Sequence, residues 1–263
     1  MILFRLSFFM TFILAFGGDQ SSQTPKARQN YFAVVKASPE RQAKVEREWR
    51  RMLEAYNAPP SKPDLHPITC APRSLAEAAG KIDIISKRTE QDGELRSAVK
   101  QFIDRWRDLL GADPDSVSLI SVTDAGDARR LIFKQANYPF PVAGNFGEMT
   151  LVVSPEGRLL QLEDRFIPVV ETPVRPEYQR EDARKRVAGR SFAYRDAAGK
   201  EQREQIAEDQ IAVKQLVILP IEKGDRIEVR LAWEIIAGGA LSWTVYIDAI
   251  TGEELQVTQN FQT

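Results

Sequence analysis

Residues 226–259, RIEVRLAWEIIAGGALSWTVYIDAITGEELQVTQ, decide the fold of this chain. Two apolar runs rich in β-branched and aromatic residues, 227–236 and 241–250, flank the pair Gly238-Gly239, and a third run, 255–257, follows. Such runs are typical of strands, so the stretch predicts three consecutive antiparallel strands. Asp248-Ala-Ile-Thr-Gly252 predicts the turn before the third strand, because aspartate can bond the backbone two residues on and glycine tolerates positive φ.

Three motifs in this stretch resemble the end of a PepSY domain. They are Leu231-Ala-Trp233-Glu in the first strand, the aromatic strand 243–247, and the turn from Asp248 to Gly252. In thermolysin and fungalysin peptidases this domain forms the second half of the propeptide. The resemblance implies structural roles for Trp233, Trp243, Asp248 and Gly252 rather than catalytic ones.

The two tryptophans have two interpretations. Trp233 and Trp243 lie on neighbouring predicted strands and could line a ligand groove. Packing between sheet and helix is favoured, because an alternating strand turns one face inward. Asp248 and Gly252 are expected to form the turn, with Asp248 as a metal ligand the remote alternative.

Composition excludes several classes of function. Lys+Arg total 36 and Asp+Glu 37, so the chain lacks the basic surplus that a nucleic-acid partner would require. The single cysteine, Cys70, cannot form an intramolecular disulfide, and we expect it to be a small buried apolar residue. An intermolecular disulfide is the alternative. The single histidine, His66, lies in a proline-rich loop and is expected at the surface rather than as a base.

The N-terminus predicts export. Arg5 precedes the apolar run 6–16, and Ala15 and Gly17 satisfy the small-residue rule, so residues 1–17 are predicted to be a signal peptide. An uncleaved membrane anchor is the alternative. Apart from this segment no membrane contact is expected, and the mature protein is predicted to be periplasmic or secreted. Residues 18–38 are predicted to be polar and disordered.

Two helices are predicted in the first half of the chain. Ser38-Pro39 is a helix start, and apolar residues at helical spacing predict a helix over 39–58. This stripe is expected to pack on its own domain rather than on a membrane or partner. Five prolines then predict an extended linker over 59–73. A second apolar stripe predicts a helix over 94–110 that ends at Gly111.

The rest of the chain predicts an α+β fold of two tandem modules. Strands are expected over 117–122, 130–135, 148–153 and 159–162, with a turn at Ser154-Pro-Glu-Gly157. The pattern repeats: residues 130–134 parallel 230–234, residues 150–154 parallel 244–248, and Gly157 parallels Gly252, with a shorter helix over 181–187. Each module, 74–167 and 177–263, is predicted to be a cystatin-like antiparallel sheet with a helix on one face, joined by a linker over 168–176.

The first module carries a second resemblance. Phe133-x-Gln135-x-x-Tyr138-x-x-Pro141-Val142-x-Gly144 resembles the FTP motif of fungalysin and thermolysin propeptides, where a Phe-x-Gln strand leads into a Gly-x-Pro-Val loop. Pro139-Phe140 replaces the usual glycine. The two resemblances cover residues 94–259 in the family's order and imply structural roles for Phe133, Gln135 and Gly157.

No catalytic, cofactor or metal site is predicted from the sequence. The chain has no HExxH motif and no Gly-rich phosphate loop, since Gly238-Gly239 lies between two strands. An enzyme is therefore disfavoured. The resemblance implies a propeptide-like protein, and because only eleven residues follow Gly252, it is expected to inhibit or chaperone a thermolysin-like metallopeptidase in trans. The alternative is an extracytoplasmic module that binds a small ligand, peptide or polymer between its two modules.

Overall fold

The computed structural model describes residues 31–75, 78–85, 92–239 and 241–260. The described helices are α1 (Pro39–Ala55), α2 (Asp92–Arg105), α3 (Arg107–Leu110) and α4 (Arg180–Val187). The described strands are β1 (Ala33–Lys36), β2 (Asp64–Leu65), β3 (Pro72–Ser74), β4 (Ile82–Asp83), β5 (Val117–Ala125), β6 (Ala128–Gln135), β7 (Glu148–Val153), β8 (Arg158–Asp164), β9 (Ser191–Arg195), β10 (Glu201–Gln205), β11 (Ile211–Lys223), β12 (Arg226–Gly238), β13 (Ser242–Asp248) and β14 (Glu254–Gln259). The predicted α+β class is confirmed. The predicted signal peptide, 1–17, lies outside the described residues.

The helix predicted at Ser38-Pro39 is α1. The Ser38 hydroxyl accepts a hydrogen bond from the Arg41 backbone N–H at 3.2 Å, which satisfies one of the free donors of the first turn. The apolar stripe is buried as predicted, with Trp49 and Met52 fully inaccessible. The helix ends at Ala55, three residues before the predicted boundary.

The long helix predicted over 94–110 is two helices. α2 ends at Arg105 and α3 begins at Arg107, because Trp106 leaves helical geometry with φ −112° and ψ 27°. The apolar stripe is nevertheless buried along both pieces, which keeps them on one core. Gly111 ends α3 in the left-handed conformation, φ 62°, as the sequence predicted.

The first sheet has the order β4-β8-β7-β6-β5 and is antiparallel throughout. The strands predicted for this module are β5 to β8, and β7 has the predicted bounds. Alternate side chains such as Leu131 and Phe133 turn inward and share one core with residues of α1, α2 and α3. The helix predicted to precede the modules is therefore part of the first core.

The predicted linker over 59–73 is wrong for its second half. Residues 64–65 pair with 72–74 as the β2–β3 ladder, and residues 68–71 are buried. Cys70 is buried as predicted, although it has a positive φ of 61°. The prolines of this segment do not make it an exposed linker, because its apolar residues pack into two cores. Ile68 lies in one core and Cys70 in another.

The second sheet is built around β12. β11 pairs along one side of it, while β13 and β1 share the other side, β13 opposite residues 232–238 and β1 opposite 226–229. β14 pairs with β13. The three strands predicted from the opening stretch are confirmed as β12, β13 and β14, whereas β11 and the β9–β10 hairpin were not predicted.

The N-terminal strand β1 corrects two predictions. Residues 33–36, placed in the disordered segment 18–38, form a ladder with β12, and Val35 is 3% exposed. The second sheet therefore takes a strand from before the first module, so the modules are not strictly consecutive in the chain. Residues Phe32–Thr263 form one compact unit.

Candidate functional site

The predicted FTP-like motif connects the two sheets. Gln135 is 5% exposed and bonds the backbone of Ile167 twice, donating from Nε2 to the carbonyl oxygen at 2.8 Å and accepting from the N–H at Oε1 at 3.1 Å. The Tyr138 hydroxyl donates to the Pro168 carbonyl at 2.9 Å and accepts from the Val170 N–H at 3.1 Å. These bonds fix the segment that leaves the first sheet against the loop between β6 and β7.

The same loop forms a short parallel bridge with β11. The Ile218 N–H donates to Pro141 O at 2.9 Å, and the Ala143 N–H donates to Ile218 O at 2.9 Å, with Val142 opposite Ile218. In a parallel ladder the next donor on β11 would be residue 220, which is proline and has no N–H. The ladder therefore stops, and Gly144, at φ 75°, turns the loop away.

A groove opens where this ladder stops. It has a volume of about 340 Å³ and is lined by the loop, by the end of β8, by the 66–73 segment, and by β11 and β14. Its residues are His66, Arg73, Asn145, Phe146, Glu163, Asp164, Arg165, Pro220, Ile221, Glu222 and Gln256. We call it the junction groove. Its volume lies at the lower end of the range for ligand pockets, about 300–1,000 Å³.

His66 lies in the junction groove, and its predicted surface position is wrong. Its side chain is 15% exposed, and Nδ1 accepts hydrogen bonds from the N–H groups of Ile68 and Thr69, both at 3.2 Å. Nδ1 is thereby an acceptor, so the proton of the neutral ring is on Nε2, 3.9 Å from Glu222 Oε1. Burial lowers the pKa of His66, although Glu222 acts in the opposite direction.

Asp164 is the most unusual group of the groove. It is 1% exposed, and its Oδ1 accepts from the Phe166 N–H at 2.8 Å, whereas Oδ2 has no hydrogen-bond partner among the described residues. Burial raises the pKa of Asp164 to about 8, against the opposing effect of the Phe166 hydrogen bond. At neutral pH the carboxyl group therefore retains its proton.

The sequence did not indicate Asp164, but one signal was present. Leu162 is in the first core, and a strand repeats its facing every second residue, so Asp164 has to face the same side as Leu162. An ionisable residue at an inward position is the pattern that could have identified this site.

Asp248 and Gly252 lie in and beside the turn between β13 and β14. Asp248 is fully buried, and its Oδ1 accepts from the N–H groups of Ile250 and Thr251 at 2.8 and 3.0 Å. Its Oδ2 lies 3.2 Å from Nη1 of Arg230. Gly252 has φ 74°, and a β-carbon there would lie 2.5 Å from the Tyr178 ring.

The remaining predicted residues are structural and lie away from the groove. Phe133 is 2% exposed in the first core. Gly157 has φ 85°, and a β-carbon there would lie 2.5 Å from the carbonyl oxygen of Ile85. Trp243 stacks on Phe192 with ring centroids 5.1 Å apart. Trp233 is half-buried against two cores and donates from Nε1 to Tyr178 O at 2.8 Å.

The first sheet also has an open edge, at β5. In the described part of the chain β5 pairs only with β6. It contains neither lysine nor proline, and Ile120, the extra residue of its bulge, is 56% exposed. Ala125 and Ala128 close a two-residue hairpin. Because ladder bonds alternate from that pair, the N–H and C=O of Asp124 point away from β6.

Within residues 31–75, 78–85, 92–239 and 241–260 no group of three or more His, Cys, Asp or Glu side chains could hold a metal ion. In that same part of the chain, no helix has the length and apolar character needed to span a bilayer.

Comparison with solved structures finds a similarity to the Bacillus megaterium YpeB C-terminal domain. The two chains are 13% identical, and the match covers 86% of this chain and 98% of that one with a TM-score of 0.37. No protein-family model matches the sequence, and no curated protein matches it significantly. These comparisons assign the chain to no family.

Proposed function

We propose that this chain is an exported, non-enzymatic binding protein that holds an extended segment of a thermolysin-like peptidase along β5 and slows that peptidase in trans. The observation that carries the proposal is the open edge of β5. An edge strand presents unpaired N–H and C=O groups, and natural proteins usually block such an edge with lysine, proline, β-bulges or a covering element. β5 has nine residues and is interrupted only by the bulge at Ile120.

The choice of partner rests on the sequence. The motifs at Gln135 and at Asp248 resemble, in the same order, the two halves of the propeptide that covers such peptidases. Pairing of an extended segment with a sheet edge needs no catalytic residue on the inhibitor. A specific complex would bury about 1,200–2,000 Å² in total, far more than the edge strand alone, so neighbouring surface of the first sheet contributes.

A matched pair of variants at Asp124 tests the proposal. Asp124→Pro removes an N–H that points away from β6, while Asp124→Ala removes the same carboxylate and keeps the N–H. The mature chain and both variants would be titrated against a thermolysin-like peptidase secreted by the same source, with cleavage of a small peptide substrate as the readout.

We expect inhibition by the native chain in the micromolar range, since the propeptides that it resembles benefit from a tether. Asp124→Pro should weaken inhibition by about tenfold, equivalent to about 1.4 kcal/mol, and Asp124→Ala should not. Equal inhibition by both variants would exclude pairing at β5. Absence of inhibition and of retention on immobilised chain would exclude the proposal as a whole.

A further inference from the structure

Two consecutive residues that line the junction groove, Asp164 and Arg165, each have a buried polar atom without a hydrogen-bond partner among the described residues. The atoms are Oδ2 of Asp164 and Nε of Arg165. Arg165 Nε lies 3.4 Å from Glu163 Oε1, and its Nη2 lies 3.6 Å from Glu148 Oε1, so its ion pairs are long. Buried polar atoms in folded proteins are nearly always paired, and such exceptions need an explanation. A ligand that pairs with them supplies one.

Both atoms are donors at neutral pH. Arginine Nε–H has no acceptor capacity, and the buried carboxyl group of Asp164 keeps its proton, since burial raises its pKa to about 8. The partner of Asp164 and Arg165 must therefore provide acceptor oxygens, such as a carbonyl group.

The formal charges that line the groove cancel. Arg73 and Arg165 are cations, Glu163 and Glu222 are anions, and His66 is neutral because burial lowers its pKa. Arg73 is also held by Asp64 at 3.0 Å. A groove without net charge gives no advantage to a phosphate or a free carboxylate over a neutral molecule, so the complementary ligand is polar and uncharged.

The wall formed by β11 favours an extended chain. Along β11 every second residue directs its backbone N–H and C=O groups away from β12. Ile218 is one such residue, so the next are Pro220, which has only a C=O to offer, and Glu222. The loop that pairs with Ile218 turns away from β11 at Gly144. Residues 220–222 of the β11 edge therefore face the groove and not the loop. Phe146 and Ile221 add apolar surface beside this edge.

We propose that the junction groove binds an uncharged extended peptide segment, which lies along Pro220–Glu222 and directs a backbone carbonyl oxygen to the carboxyl group of Asp164. A peptide supplies alternating carbonyl acceptors for Asp164 and Arg165 and N–H donors for the open carbonyl of Pro220. The site is separate from the β5 edge, and it does not depend on a peptidase.

Two substitutions at Asp164 separate the proposed role from a merely structural one. Asp164→Asn keeps an acceptor for the Phe166 N–H and places an amide donor where the carboxyl proton was. Asp164→Leu is of similar shape and removes both the donor and the acceptor of the Phe166 N–H. The full mature chain, labelled with ¹⁵N, would be titrated with an acetylated and amidated Ala-Ser-Val-Ser-Ala peptide, and separately with a chitin trisaccharide, with backbone amide shifts as the readout.

We expect the peptide to shift amides of Phe146, Arg165 and Glu222, with affinity within about threefold of native in Asp164→Asn and weaker by about tenfold or more in Asp164→Leu. A native-like circular dichroism spectrum and a cooperative melting transition in Asp164→Leu would show that the variant is folded and that the loss is one of binding. No shifts at the groove up to the solubility limit would overturn the proposal, as would equal binding by Asp164→Leu. Amide shifts produced by the trisaccharide and not by the peptide would show that the groove binds glycans, and would overturn the proposal of a peptide ligand.

Discussion

Asp164 and Asp248 are both buried aspartates at the end of a strand, one in each sheet, and they differ in how their oxygens are paired. Asp248 accepts from two backbone N–H groups with Oδ1 and contacts Arg230 with Oδ2. Asp164 accepts from one N–H with Oδ1 and has no partner for Oδ2 among the described residues. Burial alone does not separate a structural carboxyl group from one available to a ligand. The two kinds of carboxyl group are distinguished by the hydrogen bonds that their two oxygens make.

The largest expected effect is a pH-dependent gain in the free energy of unfolding of the Asp164→Asn variant relative to the native chain. Between pH 4 and pH 8 the native state holds the Asp164 proton, because its pKa is raised to about 8 from the ordinary 3.8, and the unfolded state releases it. The contribution of Asp164 to the free energy of unfolding is therefore fully present below pH 4 and is lost as the pH rises to 8. The loss is up to about 5 kcal/mol, since each unit of pKa difference is equivalent to about 1.36 kcal/mol.

Urea unfolding of native chain and Asp164→Asn at pH 4 and pH 8 measures this effect. The variant should gain stability relative to native as pH rises, since asparagine does not titrate. A difference between the two proteins that stays constant with pH would show that Asp164 is ionised and solvated in the folded chain.

At Asp248 we expect the substitution by asparagine to lower the stability of the folded chain. Asp248→Asn keeps an oxygen for the turn but removes the negative charge opposite Arg230, whose side chain is only 12% exposed. Arg230 retains Glu228 at 2.8 Å, so we expect a loss of about 2–3 kcal/mol rather than the full cost of an isolated buried charge. Chemical denaturation at neutral pH measures it, with Asp225→Asn in the exposed β11–β12 turn as the control. Equal effects of the two substitutions would contradict this account.

The smallest expected difference is between two glycine substitutions, one of them at Gly252 in the turn that follows Asp248. Gly252→Val introduces a β-branched residue at φ 74° and directs a β-carbon at the Tyr178 ring, and the strain alone costs about 1–3 kcal/mol. Gly199→Val, at φ 77° with no atom within 4 Å of the added β-carbon, carries the strain without the clash. Thermal melting should therefore show a larger loss for Gly252→Val, and equal melting temperatures would contradict the close approach of Tyr178.

Local patterns in the sequence predicted the helical segments and half of the described strands, β5 to β8 and β12 to β14, and the failures have a common cause. The Asp248 to Gly252 turn, the start of α1 at Ser38 and the three final strands depend on residues close in sequence, so their patterns are visible. β1 was missed because four residues, 33–36, become a strand only through the distant β12. The burial of residues 68–71 likewise depends on two cores that the proline spacing does not reveal.

The junction groove could not have been derived from these local patterns. The motif around Gln135 was recognised, but its bonds to Ile167 join residues on different segments, and the bridge of Val142 to Ile218 joins different sheets. Pro220 carries a partial signal, because proline within an apolar strand indicates an edge. Asp164 carries another through its alternation with Leu162. Neither identifies the groove without the tertiary pairing.

We expect Asp164 to be protonated in the folded chain at neutral pH, with no hydrogen-bond partner for its Oδ2 among the described residues. The direct measurement is a pH titration of its side-chain carboxyl carbon by ¹³C NMR in the native full-length chain, assigned by comparison with Asp164→Asn. The account predicts a midpoint of about 8, with the carboxyl resonance still that of the protonated acid at pH 6. A midpoint near 4, within the ordinary range of aspartate, would contradict it.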